Sequence, residues 1–348
     1  MSTPEVSDVR DIAARSRSRS RMVITLSTVV VLLAAVLALT FPGAGLNHGT
    51  AWQALIHPDP GSESSLGARV VYGWRLPRVT AGALIGAGLA VAGTLSQTLT
   101  RNPLGSPDII GFNTGAYTGV IVVSYLGFSS FINVGIGALA GGGLTALIVM
   151  TLAVRRQVSG MRLILVGIGV SLTLAAVNRY LILNADLDTA LAVATWAAGS
   201  LNGLEWRFVA PAAAILTLIT ALSLVLGPCC EALELADDTA YSTGLNVTRT
   251  RLLFLAISTL LTSLCTALAG PISFVALAAP HLTRFLLGGQ RVNLPAAALT
   301  GATLVLVCDI IGQHLFPTVM LPVGVVTVTL GGVYLIALML ATSRASRR

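Results

Sequence analysis

LPRVTAGALIGAGLAVAGTLSQTLTRNPLGSP, residues 76–107, opens as a long run of small and apolar side chains and closes in RNPLGSP, residues 101–107. A helix over residues 76–100 reaches about 37 Å, enough to cross roughly 30 Å of hydrocarbon. The closing string contains two prolines, a glycine and an arginine. Proline lacks an amide donor and clashes with the preceding turn, so the string stops the helix. A second apolar run, 108–127, follows immediately. Backbone polar groups in lipid must be bonded within the chain, which makes helices the expected form of both runs. The in–out alternation of a membrane β-barrel is absent.

The same pattern extends along the whole chain. Of 348 residues, 55% are hydrophobic and 10% charged, with mean hydropathy +0.85. Soluble proteins carry about 25% charged residues. Apolar segments run approximately over 22–40, 76–100, 108–127, 132–154, 163–184, 206–227, 252–271, 272–287, 294–313 and 322–341. The sequence thus reads as an all-α integral membrane protein of about ten transmembrane helices. The expected layout is an Arg-rich tail at 1–21, one membrane domain at 22–341 and a short tail at 342–348. Segment 22–40 is long enough to span, and no small-residue cleavage site follows it. It reads as a retained first helix, not a removed signal peptide.

All 21 basic residues are arginine, and the net charge is +7. Their placement argues for membrane sidedness, not nucleic-acid binding. With the N-terminus inside, the inner side receives the tail, Arg101, Arg155, Arg156, Arg162, Arg249, Arg251, Arg284, Arg291, Arg344, Arg347 and Arg348. The outer side receives Arg69, Arg75, Arg78, Arg179 and Arg207. This bias fits ten spans with both termini cytoplasmic. Gly82 and Gly86, then Gly111, Gly115 and Gly119, recur at four-residue spacing, as small residues do where helices approach closely. Spans two to five and seven to ten start on opposite sides, as in an inverted repeat.

Several activities are excluded by residue type. A P-loop needs a lysine to reach phosphate, and the chain has none. LLGGQR, 286–291, lacks the serine of the ABC signature string and reads as a glycine turn. His48, His57, His281 and His314 show no paired metal-ligand spacing, and no metal or other cofactor is expected in this chain. Cys229, Cys230, Cys265 and Cys308 read as small hydrophobes. Asp309 is an acid well inside an apolar segment, where ionisable residues are functional candidates. Two readings stand: a proton-relay carboxylate of a secondary transporter, or a structural hydrogen bond or ion pair. Arg179 either partners it or snorkels outward.

CCEALELADDTAYSTGLNVTRTR, 229–251, is the longest inner loop. A short helix from Ala236, ended by Gly244, would suit docking of a cytoplasmic partner.

Taken together, RLPR at 75–78, GAGLAVAGTLSQTLTRNPLGSPDIIGFNTGA at 86–116, WAAGSLNGLEW at 196–206, the LADDTAYSTGLNV loop, GPISFVALAAPHLTRFLLGG at 270–289 and LPVGVVTVTLGG at 321–332 carry a resemblance. The chain resembles the FecCD-type permeases, membrane subunits of ABC importers for iron–siderophores, haem and cobalamin. The resemblance implies a bacterial inner-membrane importer with two permeases, a pair of ATPase subunits that bind ATP and Mg, and a substrate-binding protein outside. A ferric siderophore is the expected cargo and a second, different permease the expected sister.

The resemblance also assigns residues. Arg75 and Arg78 match arginines that pair with glutamates on the binding protein. Gln313 stands where relatives commonly place a third such arginine. Asn102 and Leu104 match a cytoplasmic gate, while Gly160 and Met161 depart from the small polar pair that forms a second gate. Leu235, Ala236, Ala240, Gly244 and Leu245, within about 228–251, match the region that fits a cleft on the ATPase.

Overall fold

The computed structural model describes residues 6–43, 45–56, 66–128, 130–153, 160–235, 237–289, 292–316 and 319–345. Ala236 lies outside the described residues, as do His57, Arg155, Arg156, Arg291, Arg347 and Arg348. The described chain is helical: α1 Val6–Thr40, α2 His48–Ile56, α3 Leu66–Thr100, α4 Phe112–Tyr125, α5 Phe131–Ala153, α6 Gly160–Leu183 and α7 Leu187–Ala197. There follow α8 Trp206–Leu224, α9 Gly227–Leu235, α10 Asp237–Ser242, α11 Val247–Ala269, α12 Val275–Leu287, α13 Leu294–His314 and α14 Val323–Ala345.

Among the described residues, 7 helices are long and apolar enough to cross a membrane: α1, α3, α5, α6, α8, α11 and α13. The other three expected spans are helical at α4, α12 and α14. The 108–127 segment is divided into a 3₁₀ turn, Pro107–Ile110, and the 14-residue α4. Its rise of about 21 Å falls short of a full crossing. The second span starts earlier than expected. A π-helical stretch, Arg69–Arg75, joins Leu66–Ala68 to Leu76–Thr100 in one 35-residue helix.

Helix α3 is the axis of the molecule. Helices α8, α11, α12 and α13 pack around it, so every residue from Gly88 to Leu99 is buried. A helix enclosed on all sides needs no polar face, which explains why small and apolar residues dominate it from Val79 to Leu95. Lipid tails are as apolar as leucine, so the helices associate through close van der Waals fit. At the α3–α13 crossing a Cβ on Gly86 would run into the Gly301 carbonyl, and one on Gly301 into that of Gly86. Gly119 and Gly137 mesh similarly between α4 and α5. The four-residue glycine spacing therefore marks real crossings.

Three of the sequence motifs converge at one backbone junction. Ser200 N–H donates to the Ala269 carbonyl at 2.7 Å, and Gly324 N–H to the Gly199 carbonyl at 3.0 Å. A Cβ on Gly199 would meet the Pro271 carbonyl, and one on Gly270 the Trp196 carbonyl. The loop after α7, the end of α11 with its exit turn, and the start of α14 are thereby fixed to one another.

Candidate functional site

Polar contacts gather at the two ends of the bundle. At one end, Arg78 of α3, just past its π-helical stretch, and Asp309 on α13 form an ion pair of 2.7 Å, with side chains 13% and 2% exposed. Arg78 Nε donates to Asp309 Oδ2 at 2.9 Å, and Arg78 Nη1 donates to Asn202 Oδ1. Gln313 Nε2 donates to the same carboxylate at 2.8 Å. Asp309 is therefore held by Arg78 and Gln313, and Arg179 lies exposed on α6. Arg75 sits one turn before Arg78. Its Nη1 and Nη2 donate to the carbonyls of Leu39 and Gly43 at 2.8 and 2.9 Å. Those acceptors are neutral, so Arg75 keeps a net positive charge at this rim, whereas the charge of Arg78 is balanced by Asp309.

The RNPLGSP turn and the α9–α10 pair lie at the opposite end. Helix α3 stops in a Schellman cap: Asn102 N–H donates to the Gln97 carbonyl at 3.2 Å and Arg101 N–H to that of Thr98 at 3.3 Å. Asn102 then closes the turn from both of its oxygens. Its Oδ1 accepts from Leu104 N–H at 2.9 Å, and its carbonyl accepts from Gly105 N–H at 2.8 Å. Leu104 is left 49% exposed at the tip. An amide locked to its own backbone and an apolar tip can narrow a path without burying a charge.

The far end of the turn is anchored by a polar relay. Ser106 Oγ accepts from Asp108 N–H at 3.2 Å, and Asn113 Nδ2 donates to Asp108 Oδ1 at 2.6 Å. Thr266 Oγ1 of α11 donates to Asn113 Oδ1 at 3.1 Å. Gly160 and Met161 begin α6 at this same end, where Leu163 is buried with Leu99 and Leu255. Met161 is 67% exposed.

The expected short helix is α10, followed by Gly244 at φ +80°. Leu245 N–H donates to the Ala240 carbonyl and Gly244 N–H to the Tyr241 carbonyl, at 3.1 and 2.9 Å. That pair of bonds is a Schellman stop, which needs a left-handed residue and so favours glycine. Helix α9 stands where only a loop was expected, and its Cys230 and Leu233 enter the central core together with Ala240 and Val247. On the other face, Tyr241 is 54% exposed. Burial raises the Glu234 carboxyl above its ordinary range, and the adjacent Arg284 opposes that shift.

This arrangement has counterparts among known proteins. The family model of the FecCD transport family matches residues 29–341. The chain is 49% identical over 275 residues to the ferric enterobactin transport system permease protein FepG of Escherichia coli (strain K12), covering 79% of this chain and 83% of that protein. It is 38% identical over 282 residues to the Fe(3+) dicitrate transport system permease protein FecC of the same strain, covering 78% of this chain and 83% of that one. Among solved structures, an inward-facing metal-chelate type ABC transporter superposes with a TM-score of 0.79 at 25% identity, covering 92% of this chain and 99% of its own. With the family model spanning nearly all of the membrane helices, this chain belongs to the FecCD transport family and is an ABC importer permease.

Proposed function

We propose that this chain forms half of the translocation path for a ferric siderophore, delivered by an extracytoplasmic binding protein and driven by a separate pair of ATPase subunits. The observation that carries this reading is the joining of the RNPLGSP turn to α9 by Arg101, which ties a gate-like turn to a docking element. The siderophore assignment is supported by the 49% identity to a ferric enterobactin permease.

In this reading the chain lies in a bacterial inner membrane with both termini cytoplasmic. Asn102 and Leu104 narrow the path, with Gly160 and Met161 beside them. The region about 228–251 receives the ATPase, contacting it through α10 and the Gly244–Leu245 stop. ATP and Mg are bound by that partner, and this chain converts its movement into a change of pore state. A sister permease completes the path; a different chain fits the replacement of a rim arginine by Gln313. The binding protein meets the rim of Arg75, Arg78 and Gln313, where Arg75 supplies the uncompensated charge that orients the encounter.

The experiment is purification of the chain from its native membranes in mild detergent, mass spectrometry of what comes with it, and uptake of radiolabelled ferric enterobactin into reconstituted vesicles. A stoichiometric ATPase, a second permease and ATP-dependent uptake are expected. A chain that purifies alone and transports without ATP would overturn the reading.

A further inference from the structure

Leu233 and Glu234 are neighbours in the last turn of α9, and each is gripped by an arginine from a different membrane helix. Arg101, which ends α3, donates from Nε and Nη2 to the Leu233 carbonyl at 3.1 and 2.9 Å. Arg284, in the last turn of α12, donates from Nη2 to Glu234 Oε1 at 2.7 Å. The final carbonyls of a helix have no intrahelical partner and attract cations, so both arginines are well placed chemically.

Arg101 adds a second, independent observation. It adopts φ +50°, the left-handed region that disfavours any residue with a Cβ. Glycine ordinarily fills that place in a Schellman cap. The two cap bonds come from the backbone of Arg101 and Asn102 and need no side chain. The turn itself therefore gives no reason for an arginine; the contact at the Leu233 carbonyl does.

We propose that Arg101 and Arg284 are positioning residues that transmit displacement of α9 to the RNPLGSP turn and to α12. The proposal rests on the importer reading and assigns it a linkage. Arg101 directly precedes Asn102, whose side chain holds Leu104. Movement of Arg101 thus reorients the exposed tip. The other end of the turn stays fixed to α11 through Asp108, Asn113 and Thr266, so the turn has a driven end and an anchored end. Through Arg284 the same displacement reaches α12. That helix is locked to α3 where a Cβ on Gly93 would strike the Ala276 carbonyl, and Gln97 Nε2 donates to the Leu277 carbonyl at 3.2 Å.

The test uses the complete transporter, with its ATPase, in lipid nanodiscs. Spin labels at Leu104→Cys and Met161→Cys, with Cys229→Ser, report the distance across the gate with and without ATP. ATP hydrolysis and uptake of radiolabelled ferric enterobactin are measured in the unlabelled protein, with Leu104 and Met161 in place. Arg101→Gly removes the tie and relieves the left-handed strain, which offsets part of the lost contact, and thermal unfolding checks that it folds. Arg101→Gly and Arg284→Ala should still bind the ATPase and hydrolyse ATP. Their nucleotide-dependent distance change should vanish, and uptake per ATP should fall about tenfold, a typical site-to-site coupling. The exchange Glu234→Arg with Arg284→Glu should recover uptake relative to either single variant. A gate in Arg101→Gly that follows ATP as in the wild type, with unchanged uptake per ATP, would overturn the proposal. A wild-type gate indifferent to ATP would instead remove the importer reading, and the linkage with it.

Discussion

Arg78 and Asp309 lie 231 positions apart in the chain, yet the arginine grips the buried carboxylate through both Nε and Nη2. The contact staples α3, just past its π-helical stretch, to the last turns of α13, about two turns from Gly86 at the Gly86–Gly301 crossing. Removing one partner leaves the other as an uncompensated buried charge, at a cost of about 3–5 kcal/mol. Asp309→Asn and Arg78→Ala should each lower thermal stability in detergent by that order. Arg78→Ala combined with Asp309→Asn should cost clearly less than the two losses added together. Additive losses in the double-mutant cycle would contradict the pairing. Uptake by Asp309→Asn should also show no change in dependence on a proton gradient.

The two rim arginines should separate in a docking assay. Arg75 faces neutral carbonyls, whereas Arg78 is neutralised by Asp309. Arg75→Glu should slow association of the binding protein and reduce its salt dependence, because rim charges act chiefly on encounter. Arg78→Gln should act mainly on stability. Surface-plasmon measurements on purified transporter decide this, and equal effects on association from both variants would refute the division.

Periodic and breaker signals were legible in the sequence because their causes are local. RNPLGSP had to stop a helix, the glycine spacing had to mark crossings, and Gly244 had to end a short helix. What could not be read depended on distant partners. Asp309 finds Arg78 instead of Arg179 because α3 and α13 cross at paired glycines, and neither helix signals the other in its own sequence. The early start of α3 was hidden by Arg69 and Arg75, which lower local hydropathy although Arg75 is satisfied by the carbonyls of Leu39 and Gly43. The short helices α2, α7 and α9 escaped notice because none approaches the length of a span.

Two helical glycines should respond oppositely to the same change. Gly93→Ala drives a methyl group into the Ala276 carbonyl. Neither backbone can retreat without opening the α3–α12 contact, so a loss of about 1–3 kcal/mol is expected from overpacking. Gly143, in the middle of α5, has open space where a Cβ would stand. Gly143→Ala should be neutral or stabilising by up to about 1 kcal/mol, the helix-propensity difference. Thermal unfolding of the two variants in one detergent checks both signs, and a stable Gly93→Ala protein would reject the crossing.

Asp186 supplies a prediction in pH. It caps α7, accepting from Thr189 N–H at 2.9 Å, and these amide bonds hold its carboxyl below its ordinary value of 3.8. The folded protein therefore binds the proton less readily than the unfolded chain. The stabilisation is complete above the ordinary value and is lost as pH falls through the lowered one. Asp186→Asn keeps an oxygen at the cap but cannot titrate. The thermal-midpoint advantage of the wild type over this variant should be constant from about pH 7 to about pH 5 and shrink on further acidification. A midpoint difference that stays level down to about pH 3 would show that the cap carries no ionisation-linked stability.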